Sequence, residues 1–572
     1  MASVRQSAHR AAHGAAHGAK TANSSSSHDT QRLTANNVAT NMQHHIRPEW
    51  VFLVLFALMA AIFSTLIPAG GGFDEPSHIA RVEQLAHGGI LAQPIDRSDV
   101  NWTYSDDMKT QDQLYGGQSD YALLSTAVRN MRDMHLTKDP YAFPTWSTDR
   151  IASNGNYGDK TMTFVFSNSA VNSPVSYIPQ LIGFFIARLF TADAQGIIII
   201  MRLFGDLALG AALFFCIRYI PIGKWALTVV ALIPGTLITC GMVTADTMTF
   251  ICCTGFITAV LCALASDRGG ISRLNWLALG GIGCLLGVIK LTYLPLILLL
   301  ALLPLMRREY RNLKYYLALA GIFLVAIVLF LLWYHAIGGI NTGAMYSAAV
   351  NPDDQKHLVL TQPLHYLKLL IFSFMGQNFF QIGASSVLIA HSNGLLGNGW
   401  PIVLLFMAAV MVQDPREKSA FTTRRAWWTV AAFVAEFGMI FVLIATALYL
   451  QFTPVGQDSI SGLQPRYYVP ILMLLVLPML IIRQQIWRTQ VLANRITCGE
   501  QNEQAELAEH SELLTQPVSA PASDDSVLPK THSDEVFIGM NQTSERIMVW
   551  TMIVLEVFSC GYFLIDFVRI MF

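Results

Sequence analysis

An all-α polytopic membrane protein is the fold class that the sequence predicts, and three observations carry the prediction. Hydrophobic residues make up 53% of the 572-residue chain and charged residues only 13%. Soluble proteins carry roughly 25% charged residues, so about half the usual charge is missing. Apolar runs such as 51–67 recur and are far too long for strands. Mean hydropathy is +0.43. A formal net charge of −1 excludes a broadly basic nucleic-acid binder, and no zinc or dinucleotide motif occurs, so no nucleic-acid partner is expected.

Residues 1–49 are rich in Ala, His, Ser and Asn without apolar periodicity, and they lack the apolar centre of a secretion signal. They read as a disordered tail, and their histidines as part of that low-complexity tail rather than as metal ligands. The first span, 50–69, leads into an external segment, 70–195. Its long polar part is expected to form a small, partly helical domain on the membrane. It contains none of the eight cysteines, so it is not stapled by disulfides.

Orientation follows from basic residues, which stay cytoplasmic. Arg218, Lys224, Arg268, Arg273, Arg307, Arg308, Arg416, Arg424 and Arg483 all fall in connections that one side can share. The membrane bundle, 196–483, then has spans near 196–218, 224–243, 246–266, 274–289, 291–306, 315–337, 427–450 and 466–483, and one more between 365 and 413. For that one, 395–413 is favoured over 365–390, which holds Gln377, Asn378 and Gln381. The apolar stretch 173–190 cannot also cross without inverting every later loop, so it is expected to lie on the outer surface. A polar insert, 484–546, reads as largely disordered and cytoplasmic, and 547–568 is the last of eleven spans. The amino terminus is inside. A bacterial plasma membrane fits a chain of this kind.

Chemistry concentrates at the outer ends. In Gly72-Phe73-Asp74-Glu75-Pro76-Ser77-His78-Ile79-Ala80-Arg81, Pro76 suits a first helical turn and Asp74 its cap. A helix there puts Asp74, His78 and Arg81 on one face. Asp246, Lys290, and Gln464 with Arg466 lie at other outer ends. Each has a bland reading: Asp74 and Asp246 as helix caps, Lys290 snorkelling, Arg466 as an anchor, His78 and Arg81 as a solvated face. Ionisable groups at membrane depth are functional candidates by default, and here several share a side.

The motif Asp74-Glu75-Pro76-x-His78-x-x-Arg81 resembles the predicted membrane-protein family called domain of unknown function 2142. So do Pro174-x-x-Tyr177-x-Pro179-Gln180 leading to Met201-Arg202-Leu203, Ala245-Asp246, Lys290-x-x-Tyr293 and Gln464-x-Arg466-Tyr467. More distantly, the order of parts is similar to that of GT-C glycosyltransferases such as protein O-mannosyltransferases. Ser173-Pro174 departs from the two prolines those enzymes often carry. The resemblance implies a GT-C-like bundle and a sugar donor on a polyprenyl phosphate. The acceptor would be an envelope glycan or protein. Asp74 would be general base, and Glu75 would assist at the acceptor or help hold a divalent cation. Arg466, then Lys290, then Arg81 would face the leaving phosphate. Transport or flipping of lipid-linked precursors, and a non-catalytic role in envelope assembly, are the competing classes.

Overall fold

The computed structural model describes residues 46–486 and 542–571 except Phe73, 100–113, 136–154, 234–235, 238–240, 267–269, 341–348, 377–408, 413, 415 and 418–422. The tail before residue 46, the insert 487–541 and the favoured crossing at 395–408 thus lie outside the described residues.

Helices dominate. In chain order they are α1 (Pro48–Leu66), α2 (Glu75–Ala86), α3 (Tyr121–His135), α4 (Ile178–Phe190), α5 (Ala194–Tyr219), α6 (Lys224–Ala231), α7 (Asp246–Leu264), α8 (Arg273–Ile289) and α9 (Leu313–Ala336). After them come α10 (Pro352–Thr361), α11 (Pro363–Gly376), α12 (Thr423–Gln451), α13 (Val469–Ile486) and α14 (Gln542–Met571). Asp193, Ser272 and Asn312 cap α5, α8 and α9, each accepting a backbone N–H three residues on.

Among the described residues, six helices are long and apolar enough to cross a membrane: α1, α5, α7, α9, most of α12, and α13. The pair α10 and α11, bent by 104°, could make a seventh. The sequence predicts eleven spans, and three of them differ for identifiable reasons. The helix beginning at Lys224 stops at Ala231 instead of reaching 243. Helix α8 has only 17 residues, about 25 Å at 1.5 Å per residue against a hydrocarbon core of about 30 Å. The stretch 291–306 contains Pro295 and forms eleven residues of 3₁₀ helix before a five-residue α-helix. Helix α14 occupies the place of the expected last span.

The segment after α1 also departs from an all-α reading. It carries an antiparallel sheet in the order β1 (Gln93–Ile95), β2 (Leu114–Asp120), β3 (Thr161–Val165). Gly116 pairs with both Gln93 and Val165, and a Cβ there would collide with the Phe164 carbonyl oxygen. The sheet packs on α2, and a core formed by Ile79, Val82, Leu123, Phe164, Phe166, Tyr177 and Ile197 joins this domain to the start of α5.

The stretch 173–190 is a 3₁₀ turn (Pro174–Tyr177) followed by α4, too short to count as a span-length helix. Its Gln180, Gly183, Phe184 and Ala187 face α5 and neighbouring parts, whereas Ile178, Ile182, Phe185 and Leu189 form an exposed apolar stripe. At the start of α1, buried Glu49 makes a two-pronged pair with Arg416 at 2.7 and 2.8 Å. Arg416 is also held by Asp414, so one of the basic loop residues is neutralised within the fold.

Candidate functional site

Two consecutive acids take opposite roles where α1 gives way to α2. Glu75 opens α2 and is fully buried. Arg202 of α5 grips both its oxygens, Nε to Oε1 at 2.8 Å and Nη2 to Oε2 at 2.7 Å. The backbone N–H groups of Gly70 and Val243 donate to the same carboxylate. Arg202 also donates to the carbonyls of Ile67 and Pro68, which follow the end of α1. Glu75 therefore ties α1, α2, α5 and the approach to α7 together. It does not line the cavity described below, so an Asp74–Glu75 carboxylate pair for a divalent cation does not form.

Asp74 is aimed elsewhere by its backbone. With φ +59° and ψ 10° it is the one non-glycine residue at positive φ among the described residues. Such a conformation costs of order 1–2 kcal/mol, least for Asn and Asp. Asp74 stands in the cap position of α2 yet makes no side-chain cap bond, so the capping reading is replaced by a strained residue whose side chain reaches a cavity. Gly70 sets up the turn. Its φ is +76°, and a Cβ would collide with the Ala127 carbonyl oxygen.

The cavity has a volume of about 330 Å³ and is lined on one side by Asp74, His78, Asp246, Lys290, Arg466 and Tyr467. These residues come from the start of α2, the start of α7, the α8 terminus and the segment before α13, more than 390 positions apart at the extremes. Lys290 Nζ lies 2.5 Å from Asp246 Oδ1. Arg466 stands between the two acids, with Nη1 3.8 Å from Asp246 and Nη2 3.9 Å from Asp74. Both cations also flank the Tyr467 ring, each 5.2 Å from its centre. Asp246 is not the cap of α7 and Lys290 does not merely snorkel; the two are partners. Away from the charges the lining is apolar and aromatic: Trp333, Ile337, Ile444, Leu448 and Phe452. The Trp333 indole N–H is fixed on the Val171 carbonyl at 2.9 Å.

His78 lies one turn from Asp74 and is nearly enclosed. Burial pushes its pKa down to about 4, against the pull of Asp74 and Asp246. It is therefore neutral at physiological pH, and two carboxylates face two cations with no formal surplus. Arg81, expected on the same face, turns away to Gln84 and the carbonyl of Ile90 and does not line the cavity. Gln464 is also outside the lining; its carbonyl accepts from the Tyr467 N–H. Among the described residues, no group of three or more His, Cys, Asp or Glu side chains is placed to hold a metal ion.

The family motifs single out Arg202, Tyr177 and Tyr293 without assigning them a role, and Trp333 is the contributor that sequence reasoning missed. An arginine inside an apolar span is itself a signal, and Arg202 answers it by holding Glu75. Tyr293 has a structural task, donating to the Tyr467 carbonyl at 2.6 Å and so fixing the segment that carries Arg466.

No curated protein and no solved structure matches the chain. A family model described as a predicted membrane protein (DUF2142) matches residues 55–475. That range holds Asp74, His78, Asp246, Lys290 and Arg466 together with all six helices of spanning length in whole or in part. This chain is a multi-pass membrane protein and belongs to the family of domain of unknown function 2142.

Proposed function

We propose that this protein is a membrane glycosyltransferase. It moves a sugar from a polyprenyl-phosphate carrier to a cell-envelope acceptor at the outer membrane face, with inversion. The observation that supports this reading is the cavity itself: Asp74, Asp246 and two phosphate-suited cations at one end, apolar side chains at the other. An amphiphile with an anionic head suits that division. In the proposed step the acceptor hydroxyl oxygen bonds to the anomeric carbon while the carbon–oxygen bond to phosphate breaks. Asp74 accepts the hydroxyl proton, and the phosphate leaves with the bonding electron pair. Arg466 offers a two-pronged guanidinium to that phosphate and Lys290 a point charge. The exposed apolar stripe of α4 fits a helix lying in the interface, as the GT-C resemblance implies.

The test is envelope-glycan composition in a deletion strain complemented with wild type or Asp74→Asn at matched membrane levels. A missing sugar restored by wild type alone is the expected result; equal restoration by Asp74→Asn removes the base and with it this reading.

One observation favours transport instead. Asp206 is buried inside α5 with Ser64 Oγ 2.5 Å away, beside the segment where the expected third span loses its helix. Buried acids next to interrupted helices are a transporter pattern. Accumulation of an unmodified lipid-linked sugar on the inner leaflet of the deletion strain would select that reading.

A further inference from the structure

We infer that Tyr177 is a positioning residue that holds His78 as the neutral tautomer with its hydrogen on Nε2. The imidazole then offers a hydrogen bond to a ligand oxygen in the cavity while Asp74 is left as the group that takes a proton. The tautomer stands on the hydrogen-bond geometry and the burial of the pair; its service to proton transfer rests on the glycosyltransferase reading.

Tyr177 closes the 3₁₀ turn before α4 and is fully buried. Its Oη lies 2.6 Å from His78 Nδ1, and at that distance one of the two atoms must carry the hydrogen. A third residue decides which. Asn172 directs its Nδ2 amide at the same phenolic oxygen, 3.4 Å away. An amide nitrogen only donates, so among the described residues Nδ1 is the one acceptor that the buried phenolic hydrogen has, and an N–H at Nδ1 would leave that hydrogen unpaired. Burial raises the Tyr177 phenol well above its ordinary range despite the Arg81 charge nearby, so that hydrogen stays on the oxygen. A neutral imidazole that accepts at Nδ1 carries its hydrogen on Nε2. With Nδ1 occupied, Nε2 is the nitrogen left for the cavity that His78 lines.

The charged groups around His78 explain why this matters. Asp74 and Asp246 favour an imidazolium, whereas Arg466 and Lys290 oppose it. An imidazolium beside Asp74 would pair with that carboxylate and lower its proton affinity. An imidazole with a free lone pair would compete for the acceptor proton. The chain Asn172 to Tyr177 to His78 prevents both, because a proton can enter Nδ1 only by displacing the phenolic hydrogen. A neutral histidine used as a donor is known chemistry for polarising a substrate oxygen.

The experiment is ¹⁵N NMR of the full chain labelled at histidine in lipid nanodiscs. Fifteen histidines are present, so His78 is assigned from the difference spectrum against His78→Gln. We expect a lone-pair-type signal at Nδ1 and an N–H-type signal at Nε2, unchanged from about pH 8 to about pH 5, below the ordinary histidine pKa of about 6.5. In Tyr177→Phe the single tautomer should be lost to a mixture. An N–H signal at Nδ1 in the wild type, or an imidazolium at neutral pH, overturns the inference. So does a Tyr177→Phe spectrum identical to wild type. Should Tyr177→Phe not insert, the wild-type spectrum alone decides the tautomer. These readouts need no substrate, so their failure is distinguishable from failure of the glycan test on Asp74.

Discussion

Replacing Glu75 by Gln should unfold the protein far more readily than replacing Asp74 by Asn, although the two acids are neighbours. Glu75 and Arg202 are both fully buried, joined at 2.7 and 2.8 Å. The side-chain amide that Glu75→Gln introduces could satisfy one backbone N–H, but it leaves the buried guanidinium without its counter-charge. Breaking a buried pair by removing one partner costs about 3–5 kcal/mol. For large domains a change of about 1 kcal/mol moves Tm by about 2–4 °C, so a fall of roughly 6–20 °C is expected. Arg202→Met should lie at the severe end, because the carbonyls of Ile67 and Pro68 lose their donor as well. A double Leu substitution at both positions should recover part of the loss, since no buried charge remains. Thermal unfolding in detergent, followed by tryptophan fluorescence at one fixed scan rate, measures this. A Glu75→Gln midpoint within about 2 °C of wild type would refute the assignment of Glu75 to structure.

Asp74→Asn should keep or slightly raise Tm, because Asn tolerates φ +59°, whereas Asp74→Ala should lose about 1 kcal/mol; the same melting assay ranks them. Gly70→Ala should be worse than either, since its Cβ would collide with the Ala127 carbonyl oxygen, and yield of folded protein on size exclusion reports it. pH dependence offers a paired test on α2. Burial raises Glu83 to about 7 from 4.5, so the folded state binds more protons there and stability falls as pH rises through that window. Burial lowers His78 to about 4 from 6.5, so the unfolded state binds more protons and stability rises with pH. Between about pH 4.5 and 6.5 the two slopes, each up to about 1.4 kcal/mol per pH unit, oppose one another. Glu83→Gln should therefore give a midpoint that climbs with pH and His78→Gln one that drops; two parallel profiles would contradict both assignments. Lys290→Met should weaken binding of a short-chain polyprenyl phosphate in a calorimetric titration, while Arg81→Lys should leave that affinity unchanged, because Arg81 does not reach the cavity.

How much of this is legible in the sequence depends on what each feature is made of. The long spans α1, α5, α9 and α12 are readable because each carries its apolar character continuously over about one membrane thickness or more. The segments 224–243 and 291–306 mislead because hydropathy records apolarity and not backbone hydrogen bonding. Pro295 and a 3₁₀ run look the same to it as a helix. The sheet is invisible for a different reason. β2 reads Leu-Tyr-Gly-Gly-Gln-Ser-Asp, with glycines where β-branched residues would announce a strand. At the site, Asp74, His78, Asp246, Lys290 and Arg466 stand out in the sequence because charges are conspicuous at the ends of apolar runs. Arg81 and Gln464 stand out on the same grounds and do not join them.

The division between Asp74 and Glu75 shows where sequence reasoning on charge stops. Two adjacent carboxylates invite a shared role, and a helix starting at either one would point them about 100° apart, close enough to meet one ligand. The backbone settles the matter. A left-handed residue at Asp74 breaks the helical path one position before Glu75, so the two side chains leave in unrelated directions. Glu75 enters the junction of α1, α2 and α5, where Arg202 and two N–H groups use its oxygens. Asp74 faces the cavity with Arg466 3.9 Å away, beyond hydrogen-bonding distance for that pair. The rigidity of Glu75 is what fixes its neighbour: four tethers on its carboxylate hold the start of α2, and the strained turn places Asp74 from that fixed point. A protein needing only a helix cap there would have no use for the strain, because a cap residue ordinarily has extended φ and ψ and bonds its own helix. The Asp74 carbonyl accepts the His78 N–H, but its side chain makes no cap bond and its φ is left-handed, so the strained turn directs the carboxylate to the cavity wall instead of to the helix.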